Sequence, residues 1–225
     1  MLHKETFFDR EVTRFVAIFG GGAFLLGVIN VHLGWIGVIL TGWCLYFFRD
    51  PDRVAPHDDG TMLVSPADGC VVEIGRHAPP VALGVENAEM QRISVFMSVF
   101  NVHVNRAPIS GVVEKIHYTP GKFLNATLNK ASEHNEREAV LLRTPQGENV
   151  IYVRIAGLIA RRIRRDIHEG DSLTLGQRTG IIRFGSRVDV YVPNSAALTV
   201  QEGQTMIAGE TVIARLTREV EAYAL

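Results

Sequence analysis

The stretch Arg178–Pro193, RTGIIRFGSRVDVYVP, sets two runs rich in Ile and Val on either side of a Phe184-Gly185-Ser186 corner. Short runs of β-branched residues suit a pleated, half-buried surface, so both runs read as strands. The same texture continues outward. CVVEIG (70–75), RISVFMSV (92–99), GVVEKIHYT (111–119), AVLLRT (139–144), VIYVRIAGLIA (150–160) and TVIARL (211–216) are short apolar segments separated by Gly and Pro. This spacing predicts a mainly β domain over residues 51–225, a compact sandwich or barrel. The polar window LNATLNKASEHNER (124–137) is weakly periodic and reads as a loop with at most one helical turn.

A faint repeat runs through the domain. SPADGCVVEI from Ser65 and APISGVVEKI from Ala107 each carry a Pro, then a Gly, then a Val-rich strand. VQEGQTMIAGETVIARL (200–216) alternates Gly turns with strands. That texture resembles the flattened β-sandwich of biotinyl and lipoyl carrier domains. A carrier needs a modifiable Lys in a hairpin turn, and Lys115, Lys122 and Lys130 lack that setting, so the likeness concerns architecture.

From Phe15 to Phe48 the sequence holds no Lys, Arg, Asp or Glu. The run exceeds the ~20 apolar residues that cross a bilayer once. It reads either as one tilted span or as a hairpin of two helices turning near Asn30–His32, and the hairpin is preferred. Arg10, Arg14, Arg49 and Arg53 flank it, which puts both ends on the cytoplasmic face of a cell membrane, and Trp35, Trp43 and Tyr46 suit an interface. A signal peptide fits less well, because no small-residue cleavage site follows so long a run. A buried hairpin of a soluble protein is the competing reading. Residues 1–50 therefore form a membrane-associated segment, joined by the Pro- and Asp-rich linker Arg49–Thr61 to the β domain.

A formal net charge of −1 gives no support to nucleic-acid binding. Cys44 and Cys70 form no disulfide framework, and no Cys/His cluster has metal spacing, so no metal is expected.

The Gly185-Ser186 corner is not a nucleophile elbow, since no Gly-x-Ser-x-Gly is present and a strand follows. Another chemistry suits Gly-Ser between strands. The hydroxyl attacks the preceding carbonyl, the resulting ester undergoes β-elimination, and the serine becomes dehydroalanine and then pyruvoyl. Glycine leaves that carbonyl unobstructed. Read alone, the dipeptide is more often a plain turn.

The company it keeps alters the balance. SPADGCV (65–71), FNVHVNRAPISG (100–111), GKFLNA (121–126), KASEHNER (130–137), GLIARRI (157–163), IIRFGSRVDVYVP (181–193) and AGETVIARL (208–216), with the apolar N-terminal segment, resemble the short-form phosphatidylserine decarboxylases over nearly the whole chain. The resemblance implies a proenzyme that cuts itself between Gly185 and Ser186, leaving fragments 1–185 and 186–225 in association. It implies a self-derived pyruvoyl cofactor at Ser186, a Schiff base with the serine head group, and conversion of phosphatidylserine to phosphatidylethanolamine and carbon dioxide. Phosphatidylserine and anionic membrane lipid are then the partners, and the resemblance leaves room for a homo-oligomer. A carrier or scaffold module on a membrane anchor, and a pyruvoyl decarboxylase of a small amino acid, are the alternatives; the apolar hairpin argues against the second.

The resemblance points to His103 as base or proton donor and to Asp68 as the acid that orients it. Long-form enzymes carry two His three apart in this region. Aligned on Pro108, His103 matches the first and Arg106 stands in place of the second, which leaves the base for Ser186 open between one residue and two. Arg161 and Arg162, in an arginine-rich run, are candidates for the phosphate or carboxylate of the head group, against a simple solvated basic face.

Overall fold

The computed structural model describes residues 12–85, 89–121, 135–157, 162–183 and 186–217. Two helices come first, α1 (Val12–Ile29) and α2 (Val31–Phe47). The chain reverses at Asn30, whose side chain caps α2 by accepting from His32 N at 2.8 Å. Small residues let the two backbones approach. A Cβ on Gly34 would stand 2.7 Å from Gly27 Cα, and one on Gly37 2.5 Å from Ala23 Cα. The outer surface is apolar, with Phe24, Val28, Ile29 and Trp35 all more than 60% exposed. A hairpin in a soluble core would bury these side chains. By length and composition α1 is able to cross a membrane.

Fourteen strands follow among the described residues: β1 (Met62–Val64), β2 (Gly69–His77), β3 (Met90–Met97), β4 (Val104–Arg106), β5 (Gly111–Thr119), β6 (Arg137–Arg143), β7 (Asn149–Ala156), β8 (Ile163–Arg165), β9 (Ser172–Leu173), β10 (Arg178–Ile182), β11 (Ser186–Val192), β12 (Ala197–Leu198), β13 (Thr205–Met206) and β14 (Val212–Arg215). The fold is mainly β, as expected. A curled eight-stranded sheet runs β13-β2-β3-β11-β7-β6-β5-β9, with three-stranded sheets β1-β14-β12 and β4-β10-β8 beside it. Val95, Tyr152, Val188 and Val190 of the large sheet pack with Leu63, Ile182 and Ile213 of the small ones in the main core. Alternation along β11 explains this: Ser186, Val188 and Val190 share one face, Arg187, Asp189 and Tyr191 the other. On that second face a smaller core joins Tyr191 to Ile151, Val153 and Leu83.

The faint repeat is a structural pseudo-dyad. Val64 N donates to Pro108 O at 2.8 Å and Arg106 N to Pro66 O at 2.9 Å. Ile74 N is held by Glu202 Oε1 at 2.9 Å, and Ile116 N by Glu169 Oε1 at 2.8 Å. The register makes the relation strict at the centre, where Ser186 faces Ala156 and Asp189 faces Val153. One half is β4–β10; the other is β1–β3 completed by β11–β14. Gly69 and Gly111 begin equivalent strands, and a Cβ on either would collide with a neighbouring carbonyl oxygen, at 2.1 Å (Phe96) and 2.6 Å (Arg143).

The strands flanking the Gly185-Ser186 corner form no hairpin: β10 pairs with β4 and β8, whereas β11 pairs with β3 and β7. β10 therefore ends in one sheet and β11 begins in another. The supposed linker is an anchored strap, held by Asp50 to Arg106 (3.1 Å) and by Val54 N to Glu210 Oε1 (3.0 Å).

Candidate active site

Ser186 is the first residue of β11 and is fully buried. It lies in the interior of the large sheet, between Met97 of β3 and Ala156 of β7. Its Oγ is 4.0 Å from Met97 Sδ, a weak acceptor, and among the described residues the hydroxyl has no strong competing bond. Gly185 lies outside the described residues, as does Arg161.

His103 comes just before β4. Its carbonyl accepts from Ile182 N at 3.3 Å, which sets it beside the end of β10, the strand that leads to Ser186. The ring is fully buried, with its centroid 4.2 Å from that of Phe47 at the end of α2. Burial, reinforced by the positive charge of Arg49 and opposed by the Asn101 carbonyl, lowers its pKa to about 4. The imidazole is therefore neutral near pH 7. Its Nδ1 sits 2.9 Å from Asn101 O, so Nδ1 carries the hydrogen and Nε2 the lone pair. A neutral imidazole in this tautomer is a base.

Asp68 follows β1 in the Ser65–Gly69 turn. Its carboxylate accepts from Arg53 Nη2 at 2.9 and 3.2 Å and from Ala208 N at 2.8 Å. The group hydrogen-bonded behind the imidazole is the Asn101 carbonyl, and the Asp68 carboxylate is engaged with Arg53 and Ala208. Arg106, where a second His was expected, points away to the strap: it meets Asp50 Oδ1, Pro51 O and Gly176 O, each at 3.1 Å.

Residues 40–214 match the family model described as phosphatidylserine decarboxylase. The chain is 53% identical to the phosphatidylserine decarboxylase proenzyme of Rickettsia felis over 213 residues, 95% of this chain and 92% of the relative. The corresponding proenzymes of Rickettsia conorii and Rickettsia typhi are 53% and 52% identical over 93% of this chain and 90% of theirs. The chain belongs to the phosphatidylserine decarboxylase family.

Within a decarboxylase of this family, the surroundings of Ser186 suit a pyruvoyl group. Its backbone is fixed by pairing on both sides, and the adjacent side chains of Met97 and Ala156 are apolar. Among the described residues no group of three or more His, Cys, Asp or Glu could hold a metal ion. Arg162 is exposed, and its carbonyl accepts from Arg183 N at 3.4 Å, close to the start of the crossing. The Arg183 guanidinium lies 5.7 Å from the Phe15 ring of α1, so the residue that follows β10 borders the hairpin.

Sequence reasoning passed over Asn105. It is fully buried on β4, and its Nδ2 lies 3.8 Å from the same Met97 Sδ that Ser186 Oγ approaches. The signal was alternation: with Val104 facing the hairpin, the next side chain turns inward.

Proposed function

We propose that this chain is a membrane-attached proenzyme that cuts itself between Gly185 and Ser186 and then converts phosphatidylserine to phosphatidylethanolamine and carbon dioxide. The observation that carries the reading is a serine fully buried at the start of an interior strand, with no strong hydrogen-bond partner among the described residues, downstream of a strand whose end is bonded to a neutral histidine. His103 takes the hydroxyl proton as base. Ser186 Oγ adds to the Gly185 carbonyl and the peptide nitrogen leaves, giving an ester. Loss of the α-proton of residue 186 expels the Gly185 carboxylate and leaves dehydroalanine. Tautomerisation and hydrolysis then release ammonia and yield the pyruvoyl group. That group supplies an electron sink for decarboxylation of an amino-acid head group.

The remaining residues are given supporting roles. Asp68 braces the site by tying Arg53 to the turn at Ala208. Arg162, with the neighbouring Arg161, offers charge to the phosphodiester. Fragment 186–225 stays with fragment 1–185 because β11 is an interior strand. The exposed apolar hairpin lies in the membrane, with Arg14, Arg49 and Arg53 at the cytoplasmic face. Arg49 stacks on Tyr46 at 3.8 Å and donates to Phe100 O at 2.9 Å, fastening the β domain to the base of the hairpin.

Intact-mass measurement on purified protein tests this. Two fragments split before Ser186 are expected, the smaller without a free amine. Ser186→Ala should remain one inactive chain. A wild-type chain that stays whole while decarboxylating lipid would exclude the mechanism.

A further inference from the structure

The least satisfied polar side chain beside the candidate nucleophile is Asn105. It is fully buried, its Nδ2 has a thioether for a partner, and its Oδ1 has no hydrogen-bond partner among the described residues. Exchanging the two amide atoms does not help, because one would still face sulfur and the other nothing. A buried amide left in this state costs stability, and native interiors rarely keep one without a use.

The fold does not demand it. Under the pseudo-dyad β4 corresponds to β1, with Val104, Asn105 and Arg106 matching Met62, Leu63 and Val64. Leu63 is fully buried in the main core and pairs with Ala214 as Asn105 pairs with Gly180. Leucine fills the equivalent inward position in one half, so the amide in the other half is a departure from what packing needs. Self-cleavage does not explain it either. Asn105 and Ser186 approach one sulfur atom, and no hydrogen bond joins them in the uncut chain.

We infer that Asn105 is a positioning and specificity residue for the head group, an inference that rests on the proposed function. An amino-acid head group carries adjacent amine and carboxylate groups, and a carboxamide offers the complementary pair. Oδ1 accepts from the amine, and Nδ2 exchanges Met97 Sδ for the carboxylate. Holding both aligns the head group against residue 186 and separates phosphatidylserine from phosphatidylethanolamine, which lacks the carboxylate.

The test uses the full chain with Asn105→Ala, Asn105→Leu and Asn105→Asp. Self-cleavage is followed by intact mass. Head-group capture is followed by cyanoborohydride trapping on the small fragment, with vesicles containing phosphatidylserine or phosphatidylethanolamine. The Ala and Leu variants should cut at the wild-type rate and melt no lower than wild type. Their KM for phosphatidylserine should rise at least tenfold, and the wild-type preference for trapping phosphatidylserine should fall to near parity. The Asp variant, with a second acceptor in place of the donor, should lose phosphatidylserine trapping more than phosphatidylethanolamine trapping. Slow cutting in the variants, failure of both Ala and Leu to fold, or an unchanged KM and preference would each overturn the inference. A wild-type chain that neither cuts nor traps either lipid would instead remove the function beneath it.

Discussion

Arg106 and Asp50 form a buried ion pair at 3.1 Å that fastens strand β4 to the strap below the apolar hairpin. Asp50 is shared with Arg178 of β10, at 2.5 Å. The position that the family resemblance marks for a second His therefore holds a structural latch in this chain. Removing one partner of a buried pair costs about 3–5 kcal/mol where the other charge is stranded. Arg178 remains beside Asp50, so Arg106→Ala should cost roughly 3 kcal/mol, at the low end of that range. Urea unfolding measures this. An unchanged midpoint would mean that the latch contributes nothing.

With His103 as the proposed base, stability and self-cleavage should both depend on pH in a defined direction. Its folded pKa of about 4 lies below the unperturbed 6.5. The unfolded chain binds the extra proton first, so this stability is complete above about pH 6.5 and is lost as pH falls towards 4. A shift of that size corresponds to about 3 kcal/mol. His103→Gln should flatten the difference in urea midpoint between pH 7 and pH 5. In the same variant self-cleavage should slow by at least a hundredfold, the scale of lost general-base help. In the wild type the acid limb of the cleavage rate should lie nearer pH 4 than pH 6.5. A limb centred at 6.5 would point to a different base.

Asp68 bridges the two fragments that the proposed cleavage would create, since Arg53 belongs to one and Ala208 to the other. Together with the pairing of β11 to both β3 and β7, it should keep the cut protein whole on native gel filtration and let it separate under denaturant. Asp68→Asn is expected to slow self-cleavage at least tenfold and to lower the urea midpoint. Full cleavage rate with a lowered midpoint would reduce Asp68 to a clamp.

Gly37 of α2 rests on Ala23 of α1, where any Cβ would stand 2.5 Å from the Ala23 backbone. Gly37→Leu should force the helices apart. Membrane flotation of this variant, against Gly42→Leu at an open position, reads the effect. Equal flotation and equal melting of the two would show that hairpin packing is irrelevant to attachment.

How much of this was visible in advance follows from the range of each interaction. Strand texture, the apolar hairpin and its reversal at Asn30 are local: alternation, charge depletion and an Asx cap act within a few residues. Gly185-Ser186 stood out as a pair, and so did His103. The partners did not. Nothing near Arg106 in sequence names Asp50, and nothing near Asp68 names Ala208, because charge complementarity alone does not select one acid among many. The repeat from Ser65 and Ala107 was visible as a pattern; its use as a dyad was hidden, since one half is completed by strands from the far end of the chain.

By itself, then, the sequence determined which residues enter strands and which face each strand buries, and it singled out the bond proposed to break. Tertiary structure decided that β10 and β11 lie in different sheets, that a peptide carbonyl sets the His103 tautomer, and that Asn105 faces Ser186 across a shared sulfur. The physical reason is that period-two alternation fixes the side of a strand and says nothing of the strand opposite, which is chosen by the packing of the whole core.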